Sequence, residues 1–183
     1  MQFSEIRNSA RKLIEGKSDI DSVRAEFIEA ANVFKFKHLL DVAESAQQSD
    51  GDSILFRTAN YILANYNEQF YYTLYSLIDT AKAYLQSEED TINFVAVIYN
   101  LANFLDIVHI CDALSWEYSE LAEINKPEDS KHLYAEELLE EFEEQIHALE
   151  VHIKPELISI CKDIVQRYDK EYIDDLRLEF DLD

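Results

Sequence analysis

Apolar residues recur at three- and four-residue intervals along most of this chain, and they read as a succession of helices. A first helix is predicted from about Ser4 to Glu15, with Ser4 as N-cap and Gly16 as its stop. A second starts near Ser18, where Asp19 and Asp21 suit the positive end of a helix, and Val23, Phe27, Ile28 and Ala31 form its apolar face. Val33 to His38 reads two ways, as a continuation of that helix or as a short break, before helix resumes from Leu39 to Gln47. Ser49-Asp50-Gly51-Asp52 is the clearest turn, and Asp52 or Ser53 is placed to cap a helix running to about Asn65.

The next helix, Glu68 to Gln86, carries Phe70, Leu74, Leu77 and Ala81 at helical spacing and ends in the polar connection Ser87-Glu88-Glu89-Asp90. Thr91 to Ile124 reads as one long helix or two joined by a kink; its first half is apolar nearly all round, which predicts a central element. Pro127 opens a helix that turns Leu138, Phe142, Ile146, Leu149 and Ile153 inward. Pro155 opens, or kinks into, a last helix burying Leu157, Cys161, Ile164, Tyr168 and Leu176.

Composition supports this reading. Gly and Pro together number only 4 of 183 residues, where average usage is about 12%; a β-rich chain needs them in its many turns. With 48% apolar residues and a length that buries roughly 70% of the unfolded surface, the expectation is an all-α, single-domain multi-helix bundle of about six to eight helices over residues 1–183.

A faint internal echo adds a second architecture. Thr58-Ala59-Asn60-Tyr61 with Tyr66-Asn67 recurs 33 residues later as Thr91-Ile92-Asn93-Phe94 with Tyr99-Asn100. Tyr99-Asn100-Leu101-Ala102, followed by Leu121-Ala122-Glu123-Ile124-Asn125-Lys126-Pro127, loosely resembles the helical-hairpin repeats of the tetratricopeptide kind. The small-residue pattern of those repeats is mostly missing. The resemblance implies a degenerate repeat array and a small adaptor, beside the plain bundle.

Charge changes the picture most. The chain carries a net charge of −22; residues 1–50 are near neutral at −2, whereas residues 51–183 hold −20. Such a body repels nucleic acid and anionic membrane and attracts basic protein. Ile92 to Ile110 is long enough to span a bilayer, yet Asn93, Asn100, Asn103, Asp106 and His109 interrupt it, so no membrane span is expected. The start of the chain has no apolar leader, and Cys111 and Cys161 both sit in apolar helical patterns, which predicts a cytoplasmic protein with two buried free thiols.

No nucleophile motif or phosphate-cradling loop is present, and no cofactor is implied. Asp106-x-x-His109, Asp129-x-x-His132 and Glu144-x-x-His147 place an acid and a histidine on one helix face, and two such pairs on neighbouring helices can hold two metal ions. With five histidines and 38 acids in 183 residues, chance supplies about one such pair. A helical-bundle metalloenzyme using Asp106, His109, Glu144 and His147 is therefore the alternative reading, not the first.

Two features suit a binding protein better. The run Glu136, Glu137, Glu140, Glu141, Glu143 and Glu144 sets like charges one turn apart, each pair costing a few tenths of a kcal/mol. Repulsion accumulated on one face is understandable if the charge steers a basic partner. Phe70-Tyr71-Tyr72 with Tyr75 forms two stripes about 100° apart. Tyr71 and Tyr75 are either core residues with wet phenol groups or the lining of an exposed groove. The expectation is a non-enzymatic binding module docking through Glu136, Glu137, Glu140, Glu141, Glu144, Tyr71 and Tyr75, of which an inhibitor or immunity-type protein against a basic, nucleic-acid-binding partner is one concrete form.

Overall fold

The structure is a computed structural model in which residues 3–124 and 136–168 are described, the side chains of 117, 118, 120–124 and 136–143 excepted. The described residues form eight α-helices and no strand: α1 (Phe3–Ile14), α2 (Ile20–Phe34), α3 (Lys37–Ser45), α4 (Gly51–Asn65), α5 (Glu68–Ser87), α6 (Thr91–Phe104), α7 (Val108–Ile124) and α8 (Glu136–Arg167). The chain is an all-α multi-helix bundle.

Local chemistry accounts for six of the helix ends. Asp19 accepts the amide of Ser22 at the start of α2, and Asn67 accepts that of Phe70 at the start of α5. After α1, Gly16 adopts φ +66° while Gly16 N bonds Leu13 O and Lys17 N bonds Lys12 O, the paired 5→2 and 6→1 closure of a helix end. The same closure ends α6, where Asp106 N bonds Asn103 O and Ile107 N bonds Ala102 O with Asp106 at φ +55°. Lys35 (φ +58°) and Glu88 (φ +49°) end α2 and α5 with a left-handed residue and a single bond back. A chain so poor in glycine makes these stops with ordinary side chains, at about 1 kcal/mol or more each.

Both open points of the sequence are thereby decided. Val33 to His38 is a break at Lys35 and Phe36, and Thr91 to Ile124 is two helices separated at Leu105–Ile107. Three expectations need correction. Asp52 and Ser53 do not cap α4; the helix already begins at Gly51, where a Cβ would meet the Ser45 carbonyl oxygen at 2.6 Å. That close approach, not a turn, is why glycine stands there. Nor is α6 buried all round: Thr91, Val95, Ile98 and Ala102 face the core, whereas Val97 and Phe104 are exposed. Pro155 lies inside α8, which continues through it; Pro155 and Val151, whose carbonyl loses its amide partner there, are both on the solvent side. Pro127 and Leu176 lie outside the described residues, as do the side chains of Leu138 and Phe142.

The strongest helix packing falls into two groups. In the first, α1 meets α2 and α4, and α3 meets α2 and α4; in the second, α5 meets α6 and α8, and α6 also meets α7 and α8. Among the described residues the first group forms a closed ring of four helices rather than a stack of hairpins, and in the second α7 packs chiefly on α6. Aromatic side chains join the groups. Phe36 lies within about 6 Å, centroid to centroid, of Phe3, Phe34, Tyr66, Phe70 and Tyr168. All six are buried.

Candidate functional site

The two breaks, at Lys35–Phe36 and at Leu105–Ile107, dock on one another. Phe36 and Ile107 form an isolated antiparallel bridge, and Lys37 N donates to Asp106 O at 2.8 Å. The end of α8 closes over the same place. Arg167 Nη1 donates to Val33 O at 3.1 Å and the Tyr168 hydroxyl to Phe34 O at 2.6 Å, so α8 satisfies the last carbonyls of α2. A guanidinium at that end also meets the negative end of the α2 dipole.

This seam gathers most of the perturbed titratable groups. His38 stacks on Phe36 and lies 4.5 Å from the Tyr61 ring; its Nε2 is 2.9 Å from the Tyr66 hydroxyl. Burial pushes its pKa down to about 4, so it is neutral. Tyr61 donates to Asp106 Oδ2 at 3.1 Å, and burial followed by that carboxylate raises its phenol to about 12. His109 Nε2 lies 3.1 Å from Asp163 Oδ2, and Arg167 grips Asp163 through Nε at 3.0 Å and Nη2 at 2.6 Å. Burial alone would raise the Asp163 pKa, but the Arg167 and His109 hydrogen bonds outweigh it and hold it below its ordinary value. Beside this cluster lies an open cleft of about 310 Å³ lined by Val33, Asp163, Gln166 and Arg167. The Tyr61–Asp106, Lys37–Asp106, Arg167–Val33 and Tyr168–Phe34 hydrogen bonds cross between the two helix groups and hold them together.

The four residues of the metal reading do not converge. Asp106 is engaged by Tyr61 and His109 by Asp163, while Glu144 and His147 are exposed, His147 Nδ1 lying 4.0 Å from Glu150 Oε2. Among the described residues no group of three or more His, Cys, Asp or Glu is placed to hold a metal ion.

The tyrosine face needs one correction. Tyr71 is 7% exposed and belongs to the core, whereas Tyr72 and Tyr75 stand 48% and 47% exposed. A stripe of α5 therefore reads Glu68, Tyr72, Tyr75, Asp79, all exposed and spaced so as to lie along one line of the helix. Tyr71 supports it from beneath, stacked 6.4 Å from Tyr75 and edge-on 5.4 Å from Tyr72. Tyr72 was legible as the residue opposite the Phe70, Leu74 and Leu77 stripe. Which flank of that stripe is covered depends on α6 and α8. Of the predicted acidic face, Glu136, Glu137, Glu140, Glu141 and Glu144 all fall within α8; Glu144 is exposed, and the other four side chains lie outside the described ones.

Cys161 is fully buried and Cys111 partly so; burial raises their pKa values to about 12 and about 11. Among the described residues no helix is long and apolar enough to cross a membrane. No protein-family model matches this chain, and neither does any curated protein or solved structure.

Proposed function

We propose that this chain is a non-enzymatic acidic binding module that docks on a basic protein partner. Its most concrete form is an inhibitor or immunity-type protein whose carboxylates stand in for phosphates in the groove of a nucleic-acid-binding enzyme. The observation that supports this reading is the exposed α5 stripe, two half-exposed tyrosines set between Glu68 and Asp79, in a part of the chain that holds −20 of the −22 net charge. Tyrosines supply apolar contact area at low entropic cost, and the surrounding field speeds encounter with a positive surface. The acidic start of α8, Glu136 to Glu144, enlarges that field.

The test begins with recovery of partners at low and high salt, followed by binding measurements on the purified partner. The combined Glu137→Lys, Glu140→Lys, Glu141→Lys and Glu144→Lys variant should keep its helical spectrum and associate more slowly. The wild-type affinity should fall as salt rises. Undiminished binding by that variant at physiological salt, together with a salt-independent wild-type affinity, would reduce the charge to a solubility device.

A further inference from the structure

Resting on that reading, we infer that the α5 stripe selects arginine over lysine, so that its partner is a protein segment presenting arginine side chains. The stripe runs from Glu68 to Asp79, about 16 Å along the helix axis. Its centre is two tyrosine rings whose positions are set from below by the buried Tyr71. Rings held this way lose little freedom when a ligand stacks on them.

The chemistry at either end decides what stacks. Glu68 precedes Tyr72 by one turn, and Asp79 follows Tyr75 by one turn; both carboxylates are exposed. A planar guanidinium laid on a phenol ring directs its N–H groups outward in its own plane, where a carboxylate one turn away meets them. Cation–π attraction and a charge-assisted hydrogen bond then act on one group together. An ammonium is a strongly hydrated point charge and gives up water to do either. Lys82, also exposed one turn beyond Asp79, ends the stripe with a positive charge and repels a partner cation placed past that point. The stripe is thus bounded: acid, two aromatic platforms, acid, then a repelling base.

Two synthetic amphipathic peptides of equal length and charge, one with six arginines and one with six lysines, would be titrated into the full-length protein at 50 and 150 mM salt. The wild type is expected to bind the arginine peptide about tenfold more tightly. A Tyr72→Leu, Tyr75→Leu variant should bind both peptides equally, at the lysine peptide's affinity. A Tyr72→Phe, Tyr75→Phe variant keeps the ring faces and should keep the preference. Glu68→Gln with Asp79→Asn should weaken both peptides. Equal wild-type affinity for the two peptides, still lost at higher salt, would overturn arginine selection and leave the acidic docking reading standing. Failure of both peptides to bind at 50 mM salt would overturn the two together. Each variant's helical spectrum identifies a folding failure, and the Phe pair tests the preference without shortening either side chain to an aliphatic one.

Discussion

The hydroxyl of Tyr168 donates to the backbone carbonyl of Phe34 at 2.6 Å, across 134 residues of sequence. The phenol is fully buried and its acceptor is an orphan carbonyl at the end of α2. One side chain of the α5–α8 group thereby completes a helix of the α1–α4 group. Tyr168→Phe keeps the ring and its packing against Phe36 but leaves the carbonyl without its donor. The expected loss is about 1–3 kcal/mol in chemical denaturation, and a loss within error of zero would show that the carbonyl finds another partner.

Stability should fall on mild acidification through His38. Its native pKa is lowered to about 4 from 6.5 by burial. Between those values the unfolded chain binds a proton that the native state does not, so stability rises with pH. The contribution is complete above pH 6.5 and is lost as pH falls toward 4, by about 3 kcal/mol at most. The difference between the wild-type and His38→Phe stability profiles should carry this slope. Parallel profiles across that window would show that His38 titrates normally.

Two backbone positions should respond in opposite directions. Lys35→Gly relieves a left-handed residue at the end of α2 and should raise the thermal midpoint by about 2–4 °C. Gly51→Ala drives a methyl group into the Ser45 carbonyl and should cost about 1–3 kcal/mol. A neutral Gly51→Ala would mean that the start of α4 shifts freely.

The thiols should react slowly with a disulfide reagent in the native state and rapidly in denaturant. Cys161, fully buried with its pKa near 12, should lag Cys111, partly buried with a pKa near 11. A burst of native-state labelling at Cys161, mapped by mass spectrometry, would contradict its burial.

Local information in the sequence determined the helices and where several of them start or stop. Periodic apolar residues, Asp19 and Asn67 as caps and Gly16 as a stop act over a few residues, and they act alike in any surroundings. The inward positions Leu149, Ile153, Leu157, Cys161 and Ile164 of α8 follow from spacing alone and are buried as expected. Tertiary structure decided everything that depends on which element comes to lie beside which. Spacing puts Tyr71 and Tyr75 on the same flank of α5, but only the packing of neighbouring helices buries one and leaves the other in solvent. Asn93, Asn100 and Asn103 mark the outer face of α6 and are exposed, but the apolar Val97 and Phe104 share that face and blur the pattern. His38 and Asp106 gain their partners, Tyr66 and Tyr61, from 28 and 45 residues away. Contacts of that range are set by the closing of whole helix groups, and their loop-closure entropy leaves no mark on the local pattern of residues.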